Sequence, residues 1–203
     1  MNDFDARAQS WDSNPMHWER SEAIATRLLQ MVPVNPTMNA LEFGAGTGIL
    51  SSMLSPFFST ITMVDQSIEM VRMMQQKVQD RKYSNLIPLH LDVEQDSLDT
   101  QYDLVFSQMV FHHLHDIHST IHKLREILLP GGYLAIADLY PEDGSFHGSE
   151  FKGHHGFEPD ELGDWLKING FSSVDTKPCF TVHKIIGDTP RKFPMFLMVA
   201  KKQ

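Results

Sequence analysis

The stretch Leu41-Glu42-Phe43-Gly44-Ala45-Gly46-Thr47-Gly48 carries three glycines at alternate positions, directly after an apolar segment. Glycine lets a chain turn tightly and lets a ligand approach the backbone closely. A short helix is predicted over 49–54, and its first amide groups would face the ligand that approaches the loop. The dinucleotide fingerprint G-x-G-x-x-G would need a third glycine where this chain has Ile49. The stretch therefore predicts a nucleotide-cofactor loop that departs from the dinucleotide pattern.

Composition indicates one globular domain over residues 1–203. Apolar residues make up 41% of the chain and charged residues 21%, and we find no repeat, low-complexity tract or linker. The formal charge of −9 argues against a general nucleic-acid binder, because that affinity needs clustered Lys and Arg. We therefore expect no nucleic-acid partner.

Cysteine content, the first residues and the apolar runs do not follow the patterns of secreted or membrane proteins. The single Cys179 provides neither a disulfide framework nor a cysteine-rich metal site, and we expect it to serve packing. The first residues are acidic and polar, unlike a signal peptide, and no apolar run approaches the about 18 residues of a spanning helix. We expect a cytoplasmic protein without a membrane partner. Its oligomeric state does not follow from the sequence.

Strand and helix patterns alternate along the chain. Asn14, Ser67 and Asp116 are expected helix caps, and Pro130-Gly131-Gly132 is expected to end a helix. Predicted strands cover 39–43, 60–64, 86–91, 102–106, 133–137, about 179–186 and 193–200. This alternation predicts an α/β fold with a doubly wound, mainly parallel sheet and helices on both faces. Ligands of such sheets bind beyond the C-terminal ends of the strands, where the strand order reverses.

Polar residues stand at those predicted strand ends. Asp65 follows the second strand, where a carboxylate can accept hydrogen bonds from ribose hydroxyls or, alternatively, cap the next helix. Asp92 follows the third strand and suits an adenine amino group, with Val93 packing on the ring, but Asp at this point is as often a turn residue. The fourth strand runs into 107–114, which we expect to face both cofactor and acceptor.

Together these motifs resemble class I S-adenosylmethionine-dependent methyltransferases of the small, single-domain kind. The resemblance covers essentially the whole length. Its landmarks are the loop 42–48, Asp65, the segments 91–93 and 107–113, the run 128–132, and the opening 4–12. It implies a Rossmann-like seven-stranded sheet of order 3-2-1-4-5-7-6 with the last strand antiparallel. It also implies that 1–35 form an N-terminal cap and helix region, and that the loop 141–157 forms the substrate side.

The resemblance also implies how S-adenosyl-L-methionine would be held, with S-adenosyl-L-homocysteine as product. The glycine loop would approach the methionine part, Asp65 the ribose, and residues after the third strand the adenine. Trp11 would cover the cofactor, although an ordinary packing role is equally open. The implied cofactor-binding residues are Glu42, Gly44, Ala45, Gly46, Gly48, Asp65, Gln66, Asp92, Val93, Ser107 and Trp11.

Histidines are the candidates for acceptor chemistry. Methyl transfer from a sulfonium depends mainly on alignment, and a base is needed only if the nucleophile must lose a proton. Among 11 histidines, His113 and His154 are candidates for acceptor contact or base, with polar packing as the alternative. A metal site built from His112, His113, His115 and Asp116 is also open. A solvated helix face explains His115, His118 and His122 more simply, so we expect no metal.

The methyl acceptor is expected to be an unidentified small molecule. The fourth strand lacks the Asn/Asp-Pro-Pro-aromatic ending of adenine or glutamine amide methylation, and Asp138 is a carboxylate without an evident role. Two alternatives remain. One is a non-catalytic protein that binds S-adenosylmethionine or S-adenosylhomocysteine, and the other is a methyltransferase acting on a protein or nucleic acid.

Overall fold

A computed structural model describes residues 3–203 of the chain. The helices are α1 (Asp3–Trp11), α2 (Pro15–Met31), α3 (Ile49–Leu54), α4 (Ile68–Arg81), α5 (Ile117–Glu126) and α6 (Pro159–Ile168). The strands are β1 (Asn39–Phe43), β2 (Thr60–Asp65), β3 (Leu86–His90), β4 (Tyr102–Gln108), β5 (Leu128–Leu139), β6 (Phe171–Ile186) and β7 (Thr189–Lys202). Short 3-10 turns occupy Ser55–Phe57 and Phe111–His113.

The seven strands form one sheet of order β3-β2-β1-β4-β5-β7-β6. Strands β1 to β5 pair in parallel, and β7 runs antiparallel to both β5 and β6. This confirms the predicted strand order and the antiparallel last strand. The order reverses between β1 and β4, and ligands of such sheets bind beyond the C-terminal ends of the strands at this point.

The expected caps start three of the helices. The side chains of Asn14, Ser67 and Asp116 accept backbone N–H groups of the first turns of α2, α4 and α5. Each bond satisfies an amide that has no partner within its own helix. At α2, Pro15 at the first position also has a backbone angle already suited to the helix.

Strands β5, β6 and β7 are several residues longer than the sequence pattern predicts. Strand β5 includes the run 130–132, because α5 already ends at Glu126 and the pairing of β5 with β4 shifts register between Tyr102 and Leu104. Strand β6 starts at Phe171, and it pairs only with β7. Its first half alternates with exposed positions and carries few apolar residues, so the apolar pattern there is too weak to be recognised.

Hydrophobic clusters cover both faces of the sheet. Helices α2, α3 and α4 pack on one face through side chains that include Leu28, Leu50 and Met74. Helices α5 and α6 pack on the other face, with Leu124 and Leu166 fully buried. Cys179 is partly buried against the first cluster, as the packing interpretation expects. Within residues 3–203, no helix has the length and apolar character needed to cross a membrane.

Candidate active site

The glycine loop follows β1 at the point where the sheet order reverses. Gly44, Gly46 and Gly48 have φ angles of 65°, 58° and 75°, a region that side chains other than glycine's rarely adopt. A Cβ atom at Gly44 would lie 2.3 Å from Cγ2 of Val110. The loop therefore packs directly against the segment that follows β4. Buried Ala45 joins the glycine loop to β2, because its backbone N–H donates to the carbonyl of Val64 at 3.0 Å.

Glu42 supports the loop from a fully buried position. Its Oε2 accepts hydrogen bonds from the N–H (3.1 Å) and the hydroxyl (2.5 Å) of Ser51. Its Oε1 is buried without a hydrogen-bond partner. Burial raises the pKa of this carboxyl to about 8. An acceptor oxygen in this condition is suited to a donor that arrives with a ligand.

Asp65 ends β2 beside the same loop. Its Oδ2 accepts the N–H of Gly46 at 2.8 Å, and its Oδ1 accepts the N–H of Ser67 at 2.9 Å. Burial raises the pKa of Asp65. Each carboxylate oxygen has a second lone pair, so these bonds leave acceptor capacity for hydroxyl groups. The cap of α4 is Ser67 itself, not Asp65.

The residues expected around an adenine ring lie beyond β2 and β3. Gln66 is exposed, and its carbonyl oxygen lies 3.0 Å from Nε2 of His90. Asp92 accepts the N–H of Glu94 at 2.9 Å, which makes it a turn residue. Val93 packs against the hydrophobic cluster under α5. The turn role expected as the alternative for Asp92 is thus present.

The end of β4 is held in a strained conformation. Met109 has a φ angle of 58°, in the left-handed region, and its N–H donates to the carbonyl of Ala137 on β5. Ser107 is buried, and its hydroxyl has no hydrogen-bond partner. Unusual backbone angles of this kind often occur at functional sites. They support the expectation that this strand end faces a ligand.

Helix α1 lies over the glycine loop. The Thr47 hydroxyl donates to Asp12 at 2.5 Å, and Lys77 on α4 contacts Asp12 at 2.7 Å and the Thr47 carbonyl at 2.8 Å. Farther along, the Ser67 hydroxyl donates to Asp5 at 2.6 Å. The Trp11 indole nitrogen is 3.9 Å from the position that a Cβ of Gly46 would take. The expected cover by Trp11 is consistent with this position.

Beyond β4 and β5, a buried histidine is paired with a carboxylate. Nδ1 of His112 lies 2.7 Å from Oδ1 of Asp138, and both side chains are fully buried. Asp138 also accepts the backbone N–H groups of His112 (3.2 Å) and Leu139 (2.7 Å). Asp138 therefore has a clear role, which is to fix the ring of His112.

Two further imidazoles join His112. Nε2 of His147 lies 3.0 Å from Nε2 of His112, and the His113 ring centroid is 4.2 Å from that of His112. Phe151 stacks on His147 at 4.1 Å and meets His113 edge-on at 5.2 Å. Burial and the neighbouring His112 lower the pKa of His113 to about 4 and that of His147 to about 3. We call His112, His113 and His147 the histidine cluster.

Other residues considered for acceptor chemistry lie outside the histidine cluster. The His154 ring packs against the Phe157 ring, with centroids 5.5 Å apart. The backbone N–H of His154 donates to the backbone carbonyl of His112. His115 is exposed and contacts Glu94, and Asp116 caps α5. A metal group of His112, His113, His115 and Asp116 is therefore not assembled. The grouping that sequence reasoning missed joins His112 to Asp138 and His147.

One signal would have found the Asp138 pairing. In the predicted strand order β4 and β5 are neighbours, and Gln108 pairs with Ala137 in the observed register. Residues just after β4 must therefore meet the end of β5, where Asp138 stands. His147 comes from the loop after β5, whose path no sequence pattern sets.

Comparison with known proteins gives one family. A family model described as a methyltransferase domain matches residues 16–176. An uncharacterized methyltransferase of Schizosaccharomyces pombe is 30% identical over 133 residues, or 62% of this chain and 44% of that protein. The chain thus spans less than half the length of this curated relative.

Solved structures share the fold. A chain of the complex between the Haloferax volcanii Trm112 methyltransferase activator and a methyltransferase superposes with a TM-score of 0.76 at 19% identity, covering 99% of this chain and 98% of that one. The N-methyltransferase NodS from Bradyrhizobium japonicum, in complex with S-adenosyl-L-homocysteine, gives a TM-score of 0.69 at 19% identity, covering 94% and 89%.

The family match includes the glycine loop, Asp65 and the segment after β4. The strand order, with its antiparallel β7, agrees with the order expected from the sequence motifs. The chain therefore belongs to the class I S-adenosylmethionine-dependent methyltransferases.

Proposed function

We propose that this methyltransferase acts on a small-molecule acceptor held beside the histidine cluster. The observation that carries the proposal is the aromatic wall around His113 and His147, formed by Phe4, Phe146 and Phe151. Apolar, aromatic-lined sites with a few polar groups are typical of small-molecule binding. The net charge of −9 argues against a nucleic-acid acceptor. Cytoplasmic localisation stays a prediction.

The residues around the glycine loop fit S-adenosylmethionine. The unpaired, buried Oε1 of Glu42 suits the ammonium group, directly or through a bridging donor. Asp65 has lone pairs for ribose hydroxyls, and Gly46 leaves the backbone open to close approach. When bound, the cofactor supplies a methyl group made electrophilic by its sulfonium. The residues of the chain position the cofactor and the methyl acceptor and exclude water from them. Helix α1, which includes Trp11, covers the cofactor and the acceptor.

His113 acts in this proposal as an acceptor contact. With a pKa lowered to about 4, the His113 ring is neutral at pH 7. Its unprotonated nitrogen can accept a hydrogen bond from the O–H, N–H or S–H group of the methyl acceptor. The same low pKa makes it a weak base, so contact is better supported than proton removal. A role for His154 stays a prediction, and its position on Phe157 gives it less support.

The first test is calorimetric titration with S-adenosylhomocysteine, with NAD as a parallel ligand. We expect micromolar binding of S-adenosylhomocysteine only, and at least tenfold weaker binding in Asp65→Asn, since a neutral amide accepts ribose hydroxyls less well than a carboxylate. Exposed Glu22→Gln is the matched control. Preference for NAD would overturn the cofactor assignment.

The second test is turnover on small hydroxyl, amine and thiol acceptors. We expect S-adenosylhomocysteine to form with one acceptor class, and His113→Ala to lose this turnover while keeping cofactor affinity. Unchanged turnover in His113→Ala would contradict the proposed contact. Tight cofactor binding without turnover on any class would favour the non-catalytic binding protein.

A further inference from the structure

We propose that the histidine cluster, which lies beside the glycine loop, binds one divalent transition-metal ion, with zinc as the first choice. The metal site stands on the geometry of His112, His113 and His147, whereas its use in holding the acceptor rests on the proposed function. Each ring offers one ligand nitrogen, and the three nitrogens lie within 4.8 Å of one another. Among the side chains that the structure describes (residues 4–203), no other three histidine, cysteine or acidic side chains converge in this way.

The distances are close to those of a tetrahedral ion. Zinc–nitrogen bonds of about 2.0–2.1 Å place two ligand nitrogens about 3.3 Å apart. Nε2 of His112 and Nε2 of His147 are already 3.0 Å apart and face each other. His147 belongs to the loop after β5 and reaches solvent, so its ring can rotate by the small amount that an ion needs.

Asp138 prepares His112 as a ligand. Its carboxylate accepts two backbone N–H groups and faces Nδ1 of His112 at 2.7 Å. The proton of the neutral ring is therefore on Nδ1, and the lone pair of Nε2 points at His147. A carboxylate that orients a histidine in this way is the usual outer-sphere partner of a metal-bound imidazole.

The charged groups around the histidine cluster are of both signs. Nearby cations include Lys184, which bonds the Phe146 carbonyl, while Asp138 supplies a buried negative charge against His112.

Aromatic rings shield the histidine cluster and leave one position for a ligand. Phe151 stacks on His147, and Phe4 meets His113 edge-on at 5.4 Å. Three histidines complete three corners of a tetrahedron, and catalytic zinc sites keep the fourth for water or substrate. The fitting acceptor is thus a hydroxyl or thiol that binds the ion through oxygen or sulfur and releases its proton to solvent on binding. With the ion bound, the contact between His113 and the methyl acceptor runs through the ion and replaces the direct hydrogen bond.

The experiment is titration of the untagged, chelator-treated full chain with Zn²⁺, and with Co²⁺ as a spectroscopic substitute. We expect one equivalent to bind and Co²⁺ to show the intense visible absorption of a low-coordinate site. His147→Asn and His113→Asn should each weaken Zn²⁺ binding at least about 100-fold, beyond the 10–100-fold loss usual for an outer-sphere partner. Exposed His122→Asn is the matched control and should bind like the wild type. Thermal unfolding of each variant checks that it is folded.

Two results would overturn the proposal. One is the absence of one-equivalent binding, which would leave His112 and His147 as a hydrogen-bonded pair only. The other is a one-equivalent site that survives both His147→Asn and His113→Asn. S-adenosylhomocysteine titrated into the same samples separates the two proposals. Cofactor binding without metal binding rejects the metal site alone, and metal binding without cofactor binding rejects the proposed function alone.

Discussion

At the scale of single residues, Glu42 joins the fold to the site. It lies in β1, pairs through Ser51 with α3, and keeps one buried oxygen without a partner. A buried carboxyl without a compensating charge favours its neutral form. The carboxyl of Glu42 is therefore mainly protonated near pH 7 in the ligand-free protein, and a cationic group of the cofactor would favour its ionised form.

Glu42→Gln should make the stability of the ligand-free protein less dependent on pH. The folded-state pKa of Glu42 is about 8, against 4.5 for an ordinary glutamate. The folded chain thus holds this proton more tightly, and the stability that the proton contributes is complete below pH 4.5 and is lost as pH rises through about 8. The full difference corresponds to at most about 5 kcal/mol. Unfolding in denaturant at several pH values measures it.

The comparison of variant with wild type isolates Glu42 from other groups that titrate in this range. Exposed Glu22→Gln should follow the wild-type curve. Parallel curves for Glu42→Gln and the wild type would show that Glu42 is not the group concerned. The same variant should also bind S-adenosylhomocysteine more weakly, because a neutral amide attracts an ammonium less strongly.

At the scale of elements, α1 is bonded to the glycine loop and to α4. Asp12, just after α1, accepts the Thr47 hydroxyl and contacts Lys77, whose other contact is the Thr47 carbonyl. These bonds are partly buried and charge-assisted, so each is stronger than a surface pair. We therefore predict that α1 acts as a cover whose position depends on Asp12.

Asp12→Asn should weaken S-adenosylhomocysteine binding about tenfold, since it removes about 1.5 kcal/mol of charge-assisted bonding from the cover. Calorimetry measures the affinity, and limited proteolysis should show faster cleavage before α2. Exposed Asp80→Asn on α4 is the control. Tighter binding in Asp12→Asn would instead mean that α1 competes with the cofactor for space.

At the scale of the whole molecule, one sheet separates two hydrophobic clusters. Leu28 represents the α2–α4 face and Leu124 the α5–α6 face, and both are fully buried. Because every strand except β3 contributes buried side chains to both clusters, loss of one cluster removes support for the other. This argues for a single cooperative domain over the described chain.

Leu28→Ala and Leu124→Ala should each lower the free energy of unfolding by about 2–5 kcal/mol, as buried leucine deletions do. Unfolding should remain one transition, with tryptophan fluorescence and far-ultraviolet circular dichroism changing together. Ile168→Ala, at a side chain 79% exposed, should change the free energy by less than about 0.5 kcal/mol. Separate transitions in either leucine variant would contradict the single-domain prediction.

Local rules in the sequence predicted the glycine loop and most strands and helix starts: glycine at positions of positive φ, apolar alternation within strands, and caps such as Ser67. The sequence predicted the strand order only through its resemblance to a known family. It predicted the edge strand β6 only in part, because an exposed strand face leaves a weak apolar pattern. It also left two roles open for each of two carboxylates: ribose contact or helix cap for Asp65, and adenine contact or turn residue for Asp92.

Which histidines come together depends on contacts between distant parts of the chain. His112 and Asp138 are 26 residues apart and come together because β4 and β5 are neighbours in register. His147 reaches them from a loop whose course depends on packing of Phe146 and Phe151, not on a local pattern. His154, an equally good candidate in the sequence, turns its ring to Phe157 instead. Contacts between distant segments follow from the sum of packing and backbone pairing, so no spacing rule in one sequence contains them.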